Sequence, residues 1–411
     1  MAKNVDTRMK RWMGQRWLLD AVIRTVGLEW DQARLAYMAA PGGPEAAGDF
    51  RGVGARVKNV ADIDREFAAA ARRREAKARA FEEQERFVAA RESYLIAALL
   101  WASARWPIFE ITDKLLEFDR KTNQCYEKFI QYAPHPVEKV EIDFEGKKMP
   151  GYLHLPRKPA DGEIFPCVIN WPGMDSCKEN GVMMYGDHLL NRDIAVLSID
   201  GPGQGESCSI SILVTATNHM DAGIAAADWL AAHPAIDGGR LAIKGTSFGT
   251  FFGTQAAAAL GDRIKGCAVV GVCHEPGCNT IFNMASPSFK LRFMFMAGYD
   301  DEDAFDEFAE TLDLRPIAGD IKAPWMAIAG ADDQLSPVEH TEELFDLIKT
   351  PKRLVVYEGA NHALNEGASV QLGENRATMI ADWLKDRLDG KPAVSEKLFI
   401  DSTGRSTVTP V

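Results

Sequence analysis

The sequence predicts an α/β chain: a mostly parallel sheet flanked by helices, preceded by a helical N-terminal domain. Two observations predict it. Short, nearly continuous apolar runs (FPCVINW, IAVLSID, RLAIKG, KGCAVVGV, PWMAIAG and RLVVYEG) recur from residue 165 onward, with gaps long enough for helices. That is the pattern of strands buried on both faces. Before His135 such runs are almost absent, and Ala, Arg and Glu fill the long stretch REFAAAARRREAKARAFEEQERFVAARESYLIAALLWASA.

Taken in order, residues 1–135 read as a helical cap domain. The Gly/Pro-rich segment from Pro41 to Gly54 separates an early helix pair from the long run, and WPIFEITDKLLEFDRKTNQCYEKFIQYA makes a last amphipathic helix. After His135-Pro136 the segments VEKVEIDF and GKKMPGYLHLP alternate in polarity around a Glu-Gly turn, as an antiparallel hairpin does. This opens a second domain, residues 136–395. Within it, about 276–318 is rich in Phe and Met and reads as a helical excursion over the carboxyl edge of the sheet, lining a pocket. Residues 396–411 are polar and Thr/Ser-rich, either a frayed tail or one more strand.

Composition narrows the function. With 59 acidic against 47 basic residues and a net charge of -12, the chain has no basic field for a polyanion, which argues against nucleic acid. A neutral or weakly charged small molecule fits better. Seven cysteines, Cys125, Cys167, Cys177, Cys208, Cys267, Cys273 and Cys278, are an odd number without a CxxC pair. Neither a disulfide framework nor a zinc site follows from them, and no metal or cofactor is expected. The N-terminal segment interleaves Lys, Arg, Asp and Trp among apolar residues, without the apolar core and cleavage site of a secretion signal. No uninterrupted apolar stretch approaches the ~20 residues of a spanning helix. A cytoplasmic protein with no membrane partner is the expectation, with the helical domain as a surface on which two chains could pair.

The chemistry is concentrated in RLAIKGTSFGTFFGTQAAAAL, which sets Ser247 after an apolar strand and before a small-residue helix. This is the context of a G-x-S-x-G nucleophile elbow and so of an α/β-hydrolase fold. A serine hydroxyl is a weak nucleophile; it needs an imidazole to take its proton and a carboxylate to orient that imidazole. In PWMAIAGADDQLSP a strand runs into Asp332 and Asp333, and in RLVVYEGANHALNE another runs into His362. The order Ser247, Asp333, His362 fits this fold. Asp333 is preferred to Asp332 because it stands four residues before Pro337, where the loop can turn back; the other aspartate is a turn residue or helix cap. Of the other histidines, His135, His154, His188, His219, His233 and His340 read as surface or helix positions.

A developing oxyanion needs donors. Phe248 N–H, next after the nucleophile, is one. The second is expected in the loop Trp171-Pro172-Gly173-Met174-Asp175-Ser176, with Met174 N–H preferred and Gly173 allowing close approach. The run DGPGQGES, Asp200 to Ser207, lacks the ending of a P-loop and reads as a tight structural turn. His274 and Glu275 follow an apolar strand and could reach the pocket, where Glu275 would orient a substrate hydroxyl or polarise a water; exposed loop charge is the equal alternative. Gly173 and Asp175 are further candidates for contact with substrate.

With these motifs in hand, the chain resembles the esterase FrsA-like, 2,6-dihydroxypseudooxynicotine hydrolase-like branch of the α/β-hydrolases. The residues that carry the resemblance are GMDSCKE at Gly173–Glu179, DGPGQGES, GTSFG, GADDQLSP and GANHAL, behind a helical N-terminal domain. Pro172 departs from the branch, standing in place of the first glycine of the usual Gly-Gly pair. The resemblance implies cleavage of a carboxylic ester, or of a carbon–carbon bond next to a ketone as in a β-diketone, acylphenol or polyketide, by the same serine machinery. The family's helical cap, with the Phe and Met of the excursion, suggests a bulky, aromatic or apolar substrate. A non-catalytic binding protein on the same fold is the rival from another class.

Overall fold

The computed structural model describes residues 10–411; the first nine residues of the sequence-defined 1–135 segment lie outside it. Its N-terminal part is helical: α1 (Lys10–Val26), α2 (Arg34–Ala39), α3 (Gly43–Gly54), α4 (Ile63–Glu83), α5 (Phe87–Ala104) and α6 (Asp113–Gln131). Helix α5 is apolar around most of its circumference, and by length and composition alone it could cross a membrane. Its burial explains that composition: α4 and α6 pack along it, and residues from Tyr94 to Trp101 are all inaccessible. Helix α6 starts where the Thr112 side chain accepts a hydrogen bond from Leu115 N–H. These helices share one apolar core, built around Phe50, Phe67, Leu99, Trp101 and Tyr126.

From Val137 the chain forms a ten-stranded sheet in the order β1-β2-β4-β3-β5-β6-β7-β8-β9-β10. The strands are β1 (Val137–Phe144), β2 (Lys147–His154), β3 (Phe165–Trp171), β4 (Ala195–Ile199), β5 (Ile236–Thr246), β6 (Ile264–Val270), β7 (Trp325–Gly330), β8 (Lys352–Tyr357), β9 (Glu396–Ile400) and β10 (Ser406–Pro410). β1 and β2 pair antiparallel, β2 meets β4 antiparallel, and β4 through β9 run parallel. The C-terminal residues add two strands to the sheet, β9 parallel to β8 and β10 folded back on it.

Between strands lie α7 (Gly205–Ser209), α8 (His219–Ala232), α9 (Phe248–Leu260), α10 (Pro287–Ala297), α11 (Glu302–Ala309), α12 (Val338–Leu347), α13 (Ala368–Leu372) and α14 (Arg376–Leu388). The sheet separates two apolar clusters. One holds Phe248, Phe252, Phe293 and Trp325, the other Val168, Ala242, Ile328, Trp383 and Leu384. Because the central strands are buried on both faces, each reads as a continuous apolar run.

Two of the histidines read as surface or helix positions are buried: His219, on a helix as that reading allows, and His154, on a strand. His154 ends β2, where its ring nitrogens meet Tyr126 Oη at 3.3 Å and His135 at 2.9 Å. His219 begins α8, stacks on Phe252 at 3.7 Å and accepts the Trp171 indole N–H at 3.1 Å. Its other nitrogen donates to Pro202 O, which fixes the tautomer, and burial pushes the imidazole down to about 3.

Candidate active site

Ser247 stands between β5 and α9 at φ 54° and ψ -128°, left-handed backbone that a serine occupies only at a cost of about 1–3 kcal/mol. The glycines on either side make the turn possible. A Cβ on Gly245 would lie 2.2 Å from Gly249 O, and one on Gly249 would lie 2.3 Å from Trp171 O. Ser247 N–H donates to Val270 O at 3.0 Å, which ties the turn to the end of β6.

The loops after β7 and β8 close on this turn. Ser247 Oγ is 3.0 Å from His362 Nε2, and His362 Nδ1 is 2.8 Å from Asp333 Oδ2. The other carboxylate oxygen, Asp333 Oδ1, accepts the amides of Leu335 at 2.8 Å and Ser336 at 3.0 Å, so the acid cannot rotate away. Asp332 is exposed, and its amide donates to Ala360 O. Burial by itself would depress the His362 imidazole. The opposing pull of Asp333, aided by the neighbouring Cys273, is stronger and holds His362 well above its ordinary value.

The loop after β3 lies directly over Ser247, since a Cβ on Gly173 would be 3.0 Å from Ser247 Cβ. Its carbonyls are taken up from behind. Gln204 Nε2 donates to Pro172 O and Gly173 O, and Arg292 Nε, from α10, donates to Met174 O at 3.3 Å. The amides of Met174 and Phe248 carry no hydrogen bond to another described residue. The DGPGQGES turn therefore braces this loop. The brace continues into an ion cluster, where fully buried Lys178 Nζ meets Glu179 at 2.8 Å, Glu206 at 2.9 Å and Asp200 at 3.4 Å.

Beside Ser247 and His362 is a cavity of about 210 Å³. Gly173 and Asp175 line it. So do Gln32, in the loop before α2, and Tyr37 of α2, together with Asn170, Lys244 and Arg376. None of these last five stood out in the sequence: Gln32, Tyr37, Asn170 and Arg376 meet the serine only through the tertiary fold, and Lys244 sits inside the apolar run that leads to it. Asp175 Oδ2 is bound by Arg34 Nη1 at 2.5 Å, and Arg34 in turn binds Asp31 at 2.9 Å and lies 4.0 Å over the Trp106 ring.

Three expectations are corrected by the structure. His274 does not line the cavity; its Nδ1 pairs with Thr341 Oγ1 at 3.0 Å, it packs near Trp325, and burial pushes it down to about 3. Glu275 also turns away, because its carboxylate accepts Thr280 N–H at 2.7 Å and Thr280 Oγ1 at 3.1 Å at the start of the next helical turn. The 276–318 excursion does not line the cavity either. Its Phe282 and Phe293 pack on Phe248 at 5.7 and 4.6 Å, so the aromatic content fills the core.

Comparison with known proteins agrees with this architecture. The sequence model of the esterase FrsA-like family matches residues 65–307, from α4 through the Gly173 loop and Ser247 to α11. A 2,6-dihydropseudooxynicotine hydrolase of Paenarthrobacter nicotinovorans is 26% identical over 267 residues, 64% of this chain and 68% of that one. Esterase FrsA of Vibrio cholerae is 27% identical over 182 residues, 44% of this chain and 42% of its own, so the chain spans less than half of that relative. The crystal structure of 2,6-dihydroxy-pseudo-oxynicotine hydrolase superimposes with a TM-score of 0.72 at 22% identity, covering 87% of this chain and 96% of that one. The likeness extends through the fold. Matched by the family model over more than half its length, the chain belongs to the esterase FrsA-like family of α/β-hydrolases.

Proposed function

We propose that the chain is a serine hydrolase that cleaves a carboxylic ester through an acyl-enzyme. The observation that carries this reading is the continuous hydrogen-bonded chain Asp333–His362–Ser247 opening on a cavity. Ser247 Oγ attacks the ester carbonyl while His362 Nε2 takes its proton, and Asp333 holds Nδ1–H and stabilises the imidazolium. The tetrahedral oxyanion is received by the amides of Phe248 and Met174. His362 then returns the proton to the departing alkoxide. A water, deprotonated by His362, attacks the acyl-serine and releases the acid and the free serine.

The size of the cavity and the charged and amide side chains that reach it support a compact substrate carrying polar groups. The cavity volume is below the ~300–1,000 Å³ usual for drug-sized ligands, and Asn170, Asp175, Lys244 and Arg376 all reach it. A second reading, hydrolysis of a carbon–carbon bond next to a ketone, has one observation in its favour. Tyr37 lines the wall, and desolvation holds its phenol well above the ordinary value, so it stays protonated; its O–H meets Asp175 Oδ2 at 3.4 Å and would have to turn from that long contact to serve a carbanion leaving group. Against it, Glu275, the acid that such chemistry would call on, is turned away from the cavity.

The test is a panel of short esters, aryl esters and acylphenols with wild type and Ser247→Ala, alongside labelling by a fluorophosphonate. The expected result is ester turnover and labelling in wild type and loss of both in the variant. Equal activity in the two proteins would refute the assignment.

A further inference from the structure

Lys244 and Arg376 line the cavity from two separate elements, the end of β5 and the first residue of α14. Neither has a carboxylate within ion-pair distance among the described residues. In this they differ from Lys178, held by three carboxylates, Arg34, held by two, and Arg105, held by Asp119; Arg292 and Arg387 are likewise buried without a described ion pair, but neither lines the cavity. Partly desolvated cations without a counter-charge are costly. Lys244 makes no described hydrogen bond, and Arg376 spends one N–H of its five on Leu364 O.

The acids nearby are committed elsewhere. Asp175, the carboxylate that shares the cavity wall, is bound by Arg34. Asp187 accepts the amides of Met183, Leu189 and Leu190. Its attraction reaches Lys244 without offsetting the two effects that hold the ammonium below its ordinary value, burial first and then repulsion from Arg376. Two cations that repel one another are thus retained beside a nucleophile, with the amide of Asn170 in the same wall.

We infer that Lys244 and Arg376 form an anion subsite, and that the substrate is an ester carrying a free carboxylate, the half-ester of a compact dicarboxylic acid. The inference rests on the esterase reading for its ester and on the cation pair for its charge. The guanidinium fork suits a carboxylate, with Lys244 as the second point charge. It also revises the expectation of a neutral or weakly charged substrate drawn from the net charge of -12: a local pair of cations decides recognition where the overall field does not.

The experiment compares the 4-nitrophenyl half-ester of succinate with 4-nitrophenyl butyrate, an ester of similar size without the charge, in wild type, Lys244→Met, Arg376→Met and Lys244→Arg. Protection from heat by glutarate is measured in the same proteins. Wild type is expected to prefer the charged ester by about 10- to 100-fold in kcat/KM. Both methionine variants should bring the preference to within about threefold of unity and lose glutarate protection, and Lys244→Arg should keep most of both. Esters hydrolysed without charge preference, or a preference that survives both methionine variants, would overturn the subsite and leave the hydrolase standing. No turnover of either ester, with glutarate protecting wild type but not Lys244→Met, would sink the esterase reading and leave the subsite standing. Glutarate protection that is absent from wild type, or equal in all four proteins, would overturn the subsite.

Discussion

Arg34, on the second helix of the chain, holds Asp175 at 2.5 Å, two residues beyond the glycine that packs on Ser247. The contact joins the N-terminal helices to the loop over the nucleophile. Replacing Arg34 with Met would leave Asp175 and Asp31 as uncompensated buried carboxylates, at a cost of about 3–5 kcal/mol. Thermal unfolding should show that loss, and ester kinetics should show a lower kcat because the loop is no longer held. Unchanged kcat with lowered stability would confine Arg34 to a structural role.

Lys178 makes a sharper test of the brace behind that loop. Lys178→Met leaves Glu179, Glu206 and Asp200 facing one another without their cation, so the loss should equal or exceed about 3–5 kcal/mol. Denaturant unfolding measures it. A variant as stable as wild type would show that these carboxylates become protonated at little cost.

The elbow tolerates no side chain at its second glycine. Gly249→Ala would place a methyl 2.3 Å from the Trp171 carbonyl oxygen, so either β3 or α9 must move. Overpacking of this kind costs about 1–3 kcal/mol or more. The shift displaces Ser247 from His362 as well, so activity should fall further than stability. Equal ester turnover by wild type and variant would count against the elbow geometry.

The pH dependence follows from the position of His362. As a base it must be neutral, and Asp333 holds its folded value well above 6.5. Ester kcat/KM should therefore fall as pH drops through that raised value. In Asp333→Asn the pull is gone and burial remains, so the limb should move to lower pH while the plateau falls about 10,000-fold. For stability the sign is opposite. A raised histidine value contributes stability that is complete below about 6.5 and is lost as pH rises through the folded value. The stability gap between wild type and Asp333→Asn should thus narrow in alkali, as pH-dependent thermal unfolding will show.

The sheet strands and the serine, aspartate and histidine were legible in the sequence because each is announced locally, by an apolar run that ends at the same edge of the sheet. Asp333 could be preferred to Asp332 from loop length, and the burial of Asp333 gives the reason. What local sequence does not carry is the partner across a fold. Gln32 and Tyr37 reach Ser247 over more than two hundred residues of chain, and no pattern around them marks the event. Glu275 was misread because a strand end does aim the backbone at the edge, yet the following turn takes up its carboxylate. The Phe- and Met-rich excursion was misread for a related reason: composition states that side chains will be buried, and leaves open what buries them. His154 departs from the reading of a surface or helix position because it ends a buried strand, with its polar partner Tyr126 in another element; His219 stands on a helix as read, buried against Trp171.

One wall of the cavity is furnished by Gln32 and Tyr37, and the nucleophile by the end of a central strand. During synthesis the wall that carries Gln32 and Tyr37 leaves the ribosome long before Ser247, so the cavity is complete only when the two meet. Exchanging the segment around α2 between family members would therefore reshape one wall of the cavity, while Ser247, Lys244 and Arg376 keep their places on and beside the sheet.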